Sequence, residues 1–119
     1  RQYRHGMQVF STELPCGVME KGETPLQAAQ RELLEETGYA GGEWTKLMDI
    51  GANPGSQNNY THCFLAVGVE KVADQSLDAT EELTVVMMNE NEVKSLLEQN
   101  RMCQALMVAP LYKYFYMKK

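Results

Sequence analysis

A chain of 119 residues with 44% hydrophobic content can bury one core but not two, so one domain over residues 1–119 is expected. The formal net charge of −5 lacks the basic face that nonspecific nucleic-acid binding needs, and no apolar run approaches the roughly 18 residues of a membrane span. Three cysteines without CxxC spacing, and no visible signal peptide, set the expectation of a reduced, cytoplasmic protein.

In chain order, Gln8 to Leu14 reads as a strand that enters a glycine-bounded loop beginning at Gly17. A helix is predicted from about Pro25 to Thr37. Thr24 would be its N-cap, Pro25 its first residue and Gln27 the far corner of a capping box; Gly38 would stop it in a left-handed conformation. Leu26, Ala29, Leu33 and Thr37 form the expected packing stripe. Glu43 to Gly51 reads as a strand with Trp44 and Leu47 to Ile50 partly buried. The run NPGSQNN, Asn53 to Asn59, is a turn cluster. Tyr60 to Val69 and Leu83 to Met88 read as further strands, rich in β-branched and apolar residues. Asn89 or Asn91 would cap a helix ending near Gln99, and Met102 to Met117 would form a last helix that Pro110 kinks or divides. Strands flanked by helices give an α/β sandwich.

The predicted first helix gathers Glu32, Glu35 and Glu36 into an arc of roughly 100°. Like charges at i, i+3 and i+4 repel, so something must offset them. A divalent cation would do so, because carboxylate oxygens are hard ligands for Mg²⁺ or Mn²⁺. Glu23, in the loop before the helix, and Arg31, on it, are expected to pair and brace the loop, a supporting role behind any metal ligands.

The segment GVMEKGETPLQAAQRELLEETGY, Gly17 to Tyr39, fits G-x5-E-x7-R-E-U-x-E-E-x-G-U, where U is bulky and apolar. Gly17, Glu23, Arg31, Glu32, Leu33, Glu35, Glu36 and Gly38 are in register, a match whose chance probability at a given start is on the order of one in a billion. It resembles the Nudix box of the Nudix hydrolases, with Tyr39 at a usually aliphatic position as the one departure. RQYRHGMQVFSTELPCG, Arg1 to Gly17, is similar to the segment before the box in the ADP-ribose pyrophosphatase and nucleotide-sugar hydrolase branch. Pro54 and the run DATEEL also look like that branch.

The resemblance implies a Nudix-type α/β/α sandwich with a mixed β-sheet, its first strands lying before or near Arg1. It implies that Glu32 and Glu36 are the principal metal ligands and that Glu35 is a ligand or a base. The backbone carbonyl of Cys16 would be a further ligand, with the thiol only a small, buried packing group. Arg4, and Arg1 behind it, align with phosphate-binding positions, and Glu13 with one that helps bind substrate or metal. Glu82, with Glu81 as the alternative, matches a loop glutamate that orients or deprotonates the attacking water. The implied reaction is metal-dependent hydrolysis of a nucleoside diphosphate sugar, ADP-ribose to AMP and ribose 5-phosphate, by a homodimer using Mg²⁺ or Mn²⁺. GDP-mannose or another nucleotide sugar is the runner-up substrate, and a non-catalytic nucleotide-sugar sensor the reading of a different class. His5 and His62 lack partners at metal-ligand spacing and read as structural. No pattern ranks Tyr3, Trp44, Tyr60 or the C-terminal tyrosines as a base platform.

Overall fold

A computed structural model of the chain describes residues 1–4, 9–52, 54–55, 60–78, 82–102 and 104–118. The first helix, α1 (Pro25–Thr37), begins and ends as its sequence dictates. The Thr24 side chain accepts from the Gln27 N–H, the Gln27 side chain returns the bond to the Thr24 N–H, and Pro25 supplies a preset φ. Gly38 stops the helix at φ 80° and donates its N–H to the Leu34 carbonyl.

Two short strands, β1 (Gln2–Arg4) and β2 (Val9–Ser11), pair antiparallel with Tyr3 opposite Phe10. The predicted strand over Gln8 to Leu14 is thus shorter, because Thr12 to Glu20 turns away from regular pairing. After α1, β3 (Tyr39–Ala40) pairs with β6 (Glu70–Lys71), a contact with no local signal in the sequence. The longest pairing joins β4 (Glu43–Ile50) to β5 (Thr61–Val67), from Glu43 opposite Val67 to Ile50 opposite Thr61.

The register of that hairpin slips between Lys46 and Met48. A bulge there places one extra residue, Leu47, against the partner strand. Leu47 and Met48 are consequently both half-buried, since the extra residue breaks the two-residue alternation. The Leu47 carbonyl, released from the ladder, accepts from the Lys113 ammonium on the last helix. Among the described residues every strand pair is antiparallel, so the parallel rungs of a mixed sheet are not among them.

Leu83 to Met88, predicted as a strand, has no strand assignment. Thr84 and Arg1 exchange both backbone hydrogen bonds, at 2.9 and 2.7 Å, one antiparallel rung. A β-rich composition makes a strand only where successive rungs form, and among the described residues this one stands without neighbours; Val86 and Met87 remain exposed.

Helix α2 (Glu90–Glu98) is capped by Asn89 in a second capping box with Glu92, and acidic Glu90 and Glu92 occupy its first turn, where the helix dipole favours them. Helix α3 (Ala105–Met117) starts from Gln104 and runs undivided through Pro110, whose ring is buried. Leu97, Met102 and Met107 form the buried centre, packed by Leu14, Leu96, Val108, Leu111 and Phe115. No described helix is long and apolar enough to cross a membrane.

The buried side of α1 differs from the predicted stripe. Leu26 is exposed, while Ala28 and Glu36 are the buried positions. Ala28, Glu32 and Glu36 lie four residues apart on one face, and this face, with the acidic arc on its flank, turns inward.

Candidate active site

Arg31 is the centre of the loop and helix that carry the glutamates. Its Nε donates to Glu23 Oε2 at 2.7 Å and its Nη2 to Glu23 Oε1 at 3.0 Å, a two-pronged grip. The second Nη2 hydrogen reaches the Val18 carbonyl at 3.0 Å. Nη1 donates to Glu32 Oε1 at 2.9 Å and to Glu35 Oε2 at 3.2 Å, with Glu20 Oε1 at 3.7 Å. The Arg31 guanidinium beside Glu23, helped by the Glu20 N–H, holds the Glu23 carboxyl below the usual carboxylate range. Glu23 in turn pushes the guanidinium well above its usual value. The expected Glu23–Arg31 brace is therefore present and extends to both neighbouring helix glutamates.

Gly17 completes the loop by what it lacks. A Cβ there would stand 2.0 Å from Glu32 Cδ, so the loop backbone lies directly against the Glu32 carboxylate. Glu36, 8% exposed, accepts from the Cys16 N–H at 3.0 Å through Oε2. The Cys16 side chain is exposed rather than buried, because the loop turns its backbone, not its thiol, toward the helix.

The far end of α1 is tied as closely. The Ser76 N–H donates to the Glu35 carbonyl at 2.8 Å, and Gln75 Nε2 donates to the Glu36 carbonyl at 2.8 Å. Val72 and Ala73 donate to the Gly38 carbonyl. Helix-end carbonyls need such partners, but Gln75 lies 39 residues from Glu36 in sequence and carries no motif that would have found it.

Glu36 also forms part of the wall of a cleft of about 350 Å³, together with Glu13, Arg1, Leu33, Tyr39 and Leu83. That volume is at the lower end of small-molecule sites. Glu82 is exposed and next to the cleft only through Leu83; Glu81 lies outside the described residues. Arg4 is on β1 opposite Val9, and its side chain lies outside those described. His62 is placed on the hairpin, with Nδ1 2.6 Å from Asp49 Oδ1, and Lys46 holds the other Asp49 oxygen at 2.7 Å; His5 lies outside the described residues.

Among the described residues no three or more His, Cys, Asp and Glu side chains are gathered closely enough to hold a metal ion. Arg31 Nη1 takes the nearer oxygens of Glu32 and Glu35, and the Cys16 N–H takes Glu36. The donor set still suits a hard divalent cation in kind, and a cation already stands between two of its carboxylates, the guanidinium of Arg31.

The NUDIX domain family model matches residues 1–109. The chain belongs to the NUDIX domain family. This Nudix chain is 32% identical over 106 residues to an ADP-ribose pyrophosphatase of Bacillus subtilis (strain 168), covering 88% of this chain and 57% of that protein. It is equally 32% identical over 101 residues to a methanol dehydrogenase activator of Bacillus methanolicus, covering 84% of this chain and 55% of that protein. The Nudix chain thus spans little more than half the length of these relatives. A solved structure described as an ADP compounds hydrolase superposes with a TM-score of 0.86 over 98% of this chain and 63% of its own, at 24% identity. The Nudix fold expected from the box is the fold observed.

Proposed function

We propose that this chain hydrolyses the pyrophosphate bond of a nucleoside diphosphate sugar, ADP-ribose foremost, giving AMP and ribose 5-phosphate with Mg²⁺ or Mn²⁺ as the metal. The observation that carries the reading is the position of Glu36: it sits on the box helix, is pinned by the Cys16 N–H and forms part of the wall of the cleft. Relatives named ADP-ribose pyrophosphatase support the substrate class, as does one named ADP-sugar pyrophosphatase. Glu32, Glu35, Glu36 and the Cys16 carbonyl would hold the metal. When bound, a divalent cation supplies charge neutralisation on the phosphate oxygens and a lower pKa for water.

The chain's own groups divide the remaining work. Arg4 and Arg1 bind phosphate oxygens, for which a guanidinium fork is well shaped. Glu13 orients the substrate at the cleft wall. Glu82, or Glu81, receives the proton of the attacking water. Gly17, Glu23, Arg31 and Gly38 fix the loop and helix on which these groups depend. The same reading carries a homodimer in the cytoplasm, and sedimentation equilibrium checks the dimer.

Incubation with Mg²⁺ and a panel of ADP-ribose, GDP-mannose, other nucleotide sugars and nucleoside triphosphates tests the assignment. Fastest turnover of ADP-ribose is expected, and turnover of triphosphates alone rejects it. Glu36→Gln is expected to abolish metal-dependent turnover with the fold retained. Binding of ADP-ribose without any turnover by the wild type would instead establish a sensor.

A further inference from the structure

We infer that Gln75 is a positioning residue for the hydrolysis proposed above, on which reading the inference rests: its amide nitrogen ties the Glu36 backbone to the Leu83 backbone, and so sets the spacing of two walls of the cleft and the place of Glu82 beside them.

The last turn of α1 has carbonyls without partners inside the helix, and residues 72–76 supply donors to them. The Glu35 carbonyl accepts from the Ser76 N–H, and the Gly38 carbonyl from the Val72 and Ala73 N–H groups. Those donors are backbone, which any side chain but proline's leaves in place. The Glu36 carbonyl is served differently, by the Gln75 side chain with Nε2 at 2.8 Å. The same nitrogen faces the Leu83 carbonyl at 3.5 Å. A primary amide carries two hydrogens on one nitrogen, so one group reaches both acceptors. This tie, unlike the backbone ones, depends on residue identity.

The two acceptors belong to two sides of the candidate site. Glu36 lines the cleft with its helix neighbours Leu33 and Thr37, and Leu83 lines it with Thr84 to Met87. Gln75 is not among the lining residues, so it acts through Glu36 and Leu83 alone. Glu82, assigned above the proton of the attacking water, immediately precedes Leu83. A proton acceptor serves only within hydrogen-bond reach, and a misplacement of about 1 Å can cost on the order of 100-fold in rate. The rung between Thr84 and Arg1 holds the next residue to β1, whereas Gln75 holds Leu83 to the helix that bears Glu36. Because the contact with Leu83 is long for a hydrogen bond, the effect of losing it is modest.

Two exchanges at this exposed position test the role. Gln75→Met keeps the length of the side chain and removes its donors; Gln75→Lys restores donors at similar reach. Both are expected to melt close to the wild type. In steady-state assays with ADP-ribose and Mg²⁺, kcat of Gln75→Met is expected to fall about fivefold, the worth of one ordinary hydrogen bond, with KM unchanged and with most of the loss recovered in Gln75→Lys. An unchanged kcat, a change confined to KM, a loss that Gln75→Lys does not reverse, or a loss no larger than the unfolded fraction of Gln75→Met overturns the positioning role and leaves the hydrolase reading intact. Failure of the wild type to turn over ADP-ribose or any other nucleotide sugar overturns both.

Discussion

The Glu32 carboxylate fills the space in which a side chain on Gly17 would begin, with Cδ 2.0 Å from the position of a Cβ. The obstructing atoms are the far end of a flexible side chain, so Gly17→Ala can be accommodated by moving them. Stability is expected to change by only about 0.5 kcal/mol, as for an ordinary surface substitution. Turnover of ADP-ribose is expected to fall by roughly 10–100-fold, the usual effect of disturbing a group that supports metal ligands. Urea denaturation and steady-state rates separate the two; an unchanged rate would show that the position of Glu32 is not critical.

Gly38 presents the opposite case. Its φ of 80° is left-handed, and a Cβ would stand 1.9 Å from the Ala73 carbonyl oxygen, which is backbone and also belongs to the segment tied to the helix end. Gly22 has a similar φ of 85° with nothing within 4 Å. Gly22→Ala is expected to cost only the roughly 1–2 kcal/mol of left-handed strain, and Gly38→Ala distinctly more. Equal losses in urea denaturation would contradict the close contact at Ala73.

Glu90 accepts from the Lys118 ammonium at 2.7 Å and from the Tyr114 hydroxyl at 2.6 Å, joining α2 to the end of α3. Lys118 first, then Tyr114, hold its carboxyl below the usual glutamate value. A depressed carboxylate stabilises the fold fully above its unfolded pKa of about 4.3 and loses that contribution as pH falls through the folded value. Glu90 raises the Lys118 pKa in return, so that contribution is lost only as pH rises past the lysine range. Glu90→Gln is therefore expected to lower the melting temperature at pH 7 and to flatten its decline below about pH 4.3. The exposed pair should matter less at high salt. Parallel wild-type and variant melting curves in acid would deny the linkage if they also coincide at neutral pH.

Two cysteines are distinguishable by reactivity. Cys16 is exposed and Cys63 half-buried on β5, where burial, aided by the Asp49 charge, pushes the thiol pKa up. Because the thiolate is the nucleophile, iodoacetamide at pH 8 is expected to label Cys16 well before Cys63, as followed by peptide mass spectrometry. Faster labelling of Cys63 would refute both placements.

What the sequence made legible was local. The caps at Thr24, Gly38 and Asn89 rest on residues within a few positions of each helix end, and the Glu23–Arg31 pair lies within one motif. Contacts that depend on distant partners were not legible. Leu83 to Met88 has the composition of a strand but, among the described residues, forms only the Arg1–Thr84 rung. Neither β3 nor β6 has the length of a strand signal; each exists because the other is beside it. The stripe assigned to Leu26, Ala29, Leu33 and Thr37 put the packing face beside the acidic arc, whereas the Cys16 N–H and the Arg31 guanidinium satisfy the carboxylates, so that Glu36 is itself buried while Leu26 is exposed. The exposure of Cys16 follows from the same loop, whose side chains could not be oriented without knowing that its backbone serves Glu36.

The bonds from Ser76 and Gln75 to the last turn of α1 and the rung between Thr84 and Arg1 anchor the chain on both sides of Glu82. Glu82 stands six positions beyond Ser76, a span of at most about 20 Å when fully stretched. Its separation from the rod that bears Glu32, Glu35 and Glu36 is therefore bounded by two ties, and releasing either one is expected to widen that range.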